Sequence, residues 1–234
     1  MILALPVLAL TLRAAAAAPK KAGDPLATSV VSSDEWRIRR APAKEEEFIG
    51  NVRYRARSNF LRADWALYKH GDKTWRARGD IRAEHRFANG DRFEAHGENA
   101  LFDAKTEKGE LTGKKGLPVS FLRTPETGDP DLGEAGRFEW QGKRRFDLVS
   151  TVHFWGPRFE AWADHARLEA ETRTATLTGG RPVLRDTEPG WSGAVKADEI
   201  VASEGLEHSR RVQASGQVKG WIEYKKQAGK ASEY

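Results

Sequence analysis

One stretch of this chain is copied within its own sequence. FEAHGENALFDAKTEKGELTG, Phe93 to Gly113, aligns without a gap to FEAWADHARLEAETRTATLTG, Phe159 to Gly179, at an offset of 66 residues, with nine of 21 positions identical. Self-similarity at a fixed period marks a stacked architecture, in which each unit buries its apolar side only against its neighbours. Weaker copies fall into register on an acidic residue: Asp34, Asp64, Glu98, Glu134, Asp164 and Asp198, at steps of 30, 34, 36, 30 and 34. Each acid is followed 15 to 18 positions later by a small residue, namely Gly50, Gly79, Gly113, Ser150, Gly179 and Gly216. The Glu134 unit is the weakest copy, with Ser150 where the others have glycine.

Within a unit the pattern alternates. Positions two and four after the acid hold Trp36 and Ile38, Ala66 and Tyr68, Ala100 and Phe102, Gly136 and Phe138, Ala166 and Leu168, Ile200 and Ala202; none is charged. The positions between them include Glu35, Arg37, Arg137, Arg167 and Glu199. A period of two is the mark of a strand with one buried face. Two residues before the small residue, Phe48, Leu111, Leu148 and Leu177 supply a second inward-facing strand, which resumes with Val52, Ile81, Val152 or Val218. Ahead of the acid the phase is opposite, since Phe93, Ala95 and Gly97 lead into Ala100 and Phe102; a slip of one residue predicts a bulge or corner there. Asn89-Gly90-Asp91, Thr127-Gly128-Asp129-Pro130 and Glu188-Pro189-Gly190 read as turns. The expectation is an all-β fold: an elongated antiparallel sheet of stacked strand-turn-strand units of 30 to 36 residues. No 3.6-residue stripe persists, which disfavours a helical solenoid.

The segments SSDEWRIRRAPAKEEEFIGNV (Ser32 to Val52), LRADWALY (Leu61 to Tyr68) and the two copies ending in Leu-Thr-Gly resemble the LptA/OstA-type lipopolysaccharide-transport family, over roughly Val31 to Tyr224. The resemblance implies an OstA-like β-jellyroll, curled like a taco around an apolar groove. It also implies a function: a periplasmic component that carries lipopolysaccharide from the inner to the outer membrane with its acyl chains in the groove. The implied partners are lipopolysaccharide and other OstA-like domains of a transport bridge, LptC-like and LptD-like, joined by edge-strand addition, with head-to-tail self-association possible in principle. Candidate edges lie near Trp36 to Arg39 and Gln217 to Tyr224. An inner-membrane-anchored LptC-like component shares the implied fold, and a filled structural solenoid without ligand is the other alternative.

Candidate groove residues are Trp36, Ile38, Tyr68, Ile81, Phe102, Leu111, Phe138, Leu148, Leu168, Leu177 and Ile200, with Ala66, Ala100 and Ala166 leaving space beside them. The competing reading of each is plain core. Two basic clusters, Arg53, Arg55, Arg57 and Arg62, and Lys143, Arg144 and Arg145, are candidates to meet glycolipid phosphates at the groove mouth, or simply a solvated face. The net charge of +5 is spread along the chain. No cofactor and no catalytic residue is expected: there is no Cys, the six His lack metal-ligand spacing, and no Gly-x-Ser-x-Gly, P-loop or dinucleotide fingerprint occurs. Acids that recur once per unit read as structural corners rather than as paired catalytic carboxylates.

MILALPVLALTLRAAAAA, residues 1–18, reads as an export signal with an Ala14-Ala15-Ala16 cleavage point, although Arg13 follows the apolar run instead of preceding it. A short membrane anchor is the alternative, but the apolar run to Leu12 is short for the ~20 residues of a spanning helix. Residues 19–30 read as a linker, 31–224 as the β-jellyroll domain and 225–234 as a polar tail. Export argues against nucleic acid as a partner.

Overall fold

Alternation of inward apolar and outward polar residues lets a strand bury one face only, so the chain must double its sheet back on itself to hide that face. The computed structural model describes residues 29–224, apart from 88–89, 127–128, 143–144, 170–171, 173, 189 and 205–209. The candidate signal, most of the linker, the C-terminal tail, Lys143 and Arg144, and parts of all three expected turns therefore lie outside the described residues. The rest is strand and turn, with no helix among the described residues. The strands are β1 (Val30–Ser32), β2 (Glu35–Arg39), β3 (Glu45–Ala56), β4 (Asn59–Lys69), β5 (Thr74–Arg86), β6 (Arg92–Asp103), β7 (Lys108–Thr112), β8 (Val119–Thr124) and β9 (Asp131–Ala135). They continue with β10 (Arg137–Gln141), β11 (Arg145–Trp155), β12 (Phe159–Glu169), β13 (Thr174–Thr178), β14 (Val183–Glu188), β15 (Trp191–Lys196), β16 (Glu199–Glu204), β17 (Arg210–Ser215) and β18 (Lys219–Tyr224).

Every pairing is antiparallel, and the strands form two facing layers joined along one seam. The first layer runs β2, β3, β4, β5, β6, β7, β10, β11, β12, β13, β16, β17. The second runs β1, β3, β4, β5, β6, β8, β9, β11, β12, β14, β15, β18. Six long strands, β3 to β6, β11 and β12, bend at the seam and serve both layers, while elsewhere the chain breaks there into two short strands. At ~4.8 Å per strand the stack is about 53 Å long. This is the all-β, elongated, antiparallel roll that the alternation predicts.

The seam explains the recurrent acids. Backbone pairs there take left-handed φ in succession: Gly50 and Asn51 (73° and 46°), Gly79 and Asp80 (80° and 38°), Ser150 and Thr151 (68° and 52°), Gly179 and Gly180 (76° and 60°), Gly216 and Gln217 (69° and 40°). The ladder register slips at the corners in β3 and β11. The side chains of Asp34, Asp64, Asp164 and Asp198 lie directly over Gly50, Gly79, Gly179 and Gly216, where any Cβ would collide with them. The backbone N–H of Asp34 donates to the Gly50 carbonyl at 2.9 Å, and that of Asp198 to Gly216 at 2.9 Å.

One unit departs from the expected register. The residue that stands where Asp34 stands elsewhere is Gly136, whose N–H donates to the Ser150 carbonyl at 2.7 Å. Glu134 instead lies within β9, opposite His153. The corner of this unit is therefore two residues later than the acid suggests, which makes Phe138 and Trp140 the equivalents of Trp36 and Ile38. Gly113 also differs, since it does not take left-handed φ and abuts the Leu117 and Pro118 backbone.

Candidate functional site

Strand register sorts the inner face of the first layer into two rows. Nearest the seam run Trp36, Phe48, Ala66, Ala77, Ala100, Leu111, Phe138, Leu148, Ala166, Leu177, Ile200 and Ala214. One step toward the open side run Ile38, Glu46, Tyr68, Trp75, Phe102, Gly109, Trp140, Phe146, Leu168, Ala175, Ala202 and Val212. Of the groove residues expected from sequence, all but Ile81 fall in these two rows. Ile81 faces them from the second layer, fully buried.

Three consecutive alanines, Ala66, Ala77 and Ala100, interrupt the seam row. Leu61, Ala83 and Ala95 lie in register on the facing layer. The alanines on both walls leave the layers unfilled there, and a cavity of about 490 Å³ occupies the gap. That volume lies within the ~300–1,000 Å³ typical of ligand pockets. Its walls are aromatic. Trp75 packs on Tyr68 at 4.8 Å and Tyr54 at 5.7 Å between ring centroids, and Phe138 packs on Trp140 at 5.7 Å and Phe146 at 5.9 Å.

Ile81, Phe102, Leu111, Phe138, Leu148 and Leu168 line this cavity. The other expected residues do not. Tyr68, Leu177 and Ile200 are buried in the packed core around and beyond it. Trp36 and Ile38 keep the inward side of β2, with Trp36 stacked on Phe48, but stand 58% and 44% exposed because β2 is the terminal strand of its layer. Val218, expected to resume an inward strand, is exposed for the same reason. Beyond the cavity the roll closes: Phe154, Phe159, Leu184, Leu177 and Ile200 fill it.

Sequence reading missed Tyr54, Leu61, Trp75, Phe93, Phe121, Trp140 and Phe146 in the lining. The signal was present for several of them. Trp75 and Phe146 sit four residues ahead of Gly79 and Ser150, and Tyr54 sits two beyond Val52, so one further step of the alternation reaches each.

The polar residues of the lining, Asn59, Glu84, His85 and Glu107, lie at the two lips of the roll, near the turns. Asn59, Glu84 and His85 belong to the second-layer lip, where His85 Nδ1 lies 2.6 Å from Asn59 Oδ1; Glu107 belongs to the first-layer turn after β6. The second-layer lip is braced by Arg123, which donates to Asp91 at 2.9 Å and to Asp131 at 3.2 Å, both carboxylates buried. Burial pushes the Tyr54 phenol above its ordinary pKa, opposed by a hydrogen bond with Ser29, so this wall stays uncharged. The site is thus apolar inside with a polar rim, open where the lips face each other.

The basic cluster expected at the mouth divides. Arg53 and Arg62 point outward from the second layer near the seam, Arg55 lies over the Phe60 ring at 5.2 Å, and Arg57 is in the turn after β3. Arg145 is engaged by Asp147 on the outside of the first layer. Among the described residues there is no acid and histidine cluster suited to a metal, and no helix long and apolar enough to cross a membrane.

No family model matches the chain, and no curated protein does. Among solved structures it is similar to LptH, the LptA-homologous periplasmic component of the lipopolysaccharide transport device of Pseudomonas aeruginosa. The identity is 10%, the TM-score 0.32, and the match covers 67% of this chain and 86% of that one.

Proposed function

We propose that this protein is a lipid carrier that holds the acyl chains of an amphiphile, of the lipopolysaccharide class, in the cavity between its layers. The observation that carries this reading is the combination of an unfilled apolar cavity with a rim where its polar residues collect. Such a site matches a molecule with a fatty tail and a polar head. Withdrawing a ~12-methylene chain from water is worth roughly 10 kcal/mol at about 0.8 kcal/mol per methylene, so a trough suffices without any reactive group. The finer assignments belong to the same proposal: a periplasmic location, transport between membranes, and joining to other OstA-like domains through the edge strands β1, β2, β17 and β18.

The filled half of the roll favours a second reading, a structural stack that binds nothing. One experiment separates them. Protein purified from an outer-membrane-bearing host is analysed by native mass spectrometry, then titrated with a fluorescent fatty acid and with lipopolysaccharide as competitor. The carrier retains lipid or takes up the probe and releases it to lipopolysaccharide. A protein that is lipid-free and indifferent to both ligands is a structural stack.

A further inference from the structure

On the outer face of the second layer, strand register places Arg53, Arg62 and Arg82 side by side on β3, β4 and β5, with His96 of β6 next in the row. Adjacent strands are ~4.8 Å apart, so three exposed arginines leave the sheet at that interval in one row. Like charges directly opposite one another destabilise a sheet. Other outer-face arginines are neutralised in place: Asp147 receives Arg145 at 2.6 Å and Arg167 at 2.9 Å, and Glu139 receives Arg137 at 2.7 Å. In the row on β3 to β5 the only such contact among the described residues is the loose pair of Arg82 with Asp80 at 3.8 Å, both largely exposed. The positive field continues toward the cavity mouth through Arg55, which lies over the Phe60 ring at 5.2 Å, and through Arg57 in the turn beside it, whereas Arg86, 5.6 Å from the same ring, is paired with Glu84 at 2.7 Å. Asn59, Phe60 and His85, which line the cavity, belong to these same strands.

We propose that this arginine row is a docking face for an anionic lipid surface, which seats the outer face of the second layer on phosphate head groups with the lip, four residues further along at Arg57, at the margin of the contact. The inference rests on the lipid-carrier reading and adds the surface by which the carrier meets its donor or acceptor. Guanidinium suits the task because its planar fork pairs with phosphate oxygens and it is weakly hydrated. A row of adjacent guanidiniums offers several such pairings to neighbouring head groups at once.

The test is co-sedimentation of the full chain with vesicles of phosphatidylcholine alone and of phosphatidylcholine mixed with phosphatidylglycerol. The expected result is binding to the anionic vesicles only, weakening as salt shortens the screening length below ~10 Å. Replacing Arg53→Gln, Arg62→Gln and Arg82→Gln together lowers vesicle affinity about 100-fold, at roughly fivefold per residue. Uptake of the fluorescent fatty acid by that variant is unchanged, which also certifies that it is folded. Equal binding to neutral vesicles, an unaltered triple variant, or tighter binding to duplex DNA than to anionic vesicles each overturns the docking face. Vesicle binding by a protein that takes up no fatty acid instead removes the carrier reading and leaves the docking face standing.

Discussion

At the seam, the residue that decides the bend is the one that accepts a left-handed backbone. Four corners use glycine with an aspartate folded over it, and the fifth uses Ser150 at φ 68°. A left-handed conformation costs a residue with a Cβ about 1–2 kcal/mol. Ser150→Gly is therefore expected to raise stability by about 0.5–1 kcal/mol after glycine's greater unfolded entropy is subtracted. Gly179→Ala, whose Cβ would come within 2.8 Å of Asp164 Cβ, is expected to cost about 1–3 kcal/mol. Urea unfolding midpoints of the two variants moving in the same direction would contradict this account. A second prediction concerns Asp147. Burial opposes its ionisation, but hydrogen bonds and charge from Arg145 and Arg167 outweigh burial and lower its pKa. A pKa lowered by folding contributes stability that is complete above the unfolded value near ~3.9 and is lost as pH falls through the folded value. The deficit of Asp147→Asn relative to wild type should thus be present at neutral pH and shrink below about pH 4 in a pH series of unfolding midpoints. The aspartates of the seam were legible in the sequence because aspartate and glycine recur together 15 to 18 positions apart. The corner at Ser150 was not, because Gly136 carries no side chain to mark it and Glu134 offers a false anchor two residues away.

Among the elements, period-two alternation carried both layers, since residues two apart share a face whichever partner they meet. It could not say where the layers would touch and where they would gape. That depends on which small residues become neighbours across strands, and register is set by corners and turns rather than by local pattern. Ala66 and Ala100 were visible as small; that Ala77 lies between them, opposite Ala83 and Ala95, follows only from the pairing of β4, β5 and β6. The cavity therefore belongs to those strands as a group. Ala100→Leu places an isobutyl group into the gap, where overpacking costs about 1–3 kcal/mol only if space is lacking. The expected outcome is a stability change of less than about 1 kcal/mol with at least tenfold weaker uptake of a fluorescent fatty acid. A large loss of stability with uptake intact would mean that the gap is not where the ligand goes.

For the molecule as a whole, the decisive feature is that the stack has ends. Among the described residues β2 pairs only with β3 and β18 only with β15, and all residues of both strands are exposed. At one end the inward-facing Trp36 and Ile38 stand 58% and 44% exposed, and at the other Trp221, Ile222 and Tyr224 are exposed. An edge with free N–H and C=O groups is a template for another strand. The end positions could be anticipated from the sequence because they are the first and last copies of the repeat; their exposure could not, because the same alternation that buries Phe48 leaves Trp36 uncovered. If the two different ends join, the interface is heterologous and does not close, so assembly lengthens with concentration instead of stopping at a dimer. Sedimentation velocity over a concentration series is expected to show steadily growing mass. Trp36→Lys with Ile38→Lys, which adds charge to an edge that is already outside the core, should abolish that growth while leaving fatty-acid uptake in place. A discrete dimer, unchanged in the double variant, would assign the contact to another surface and leave the strand ends as ordinary guarded edges.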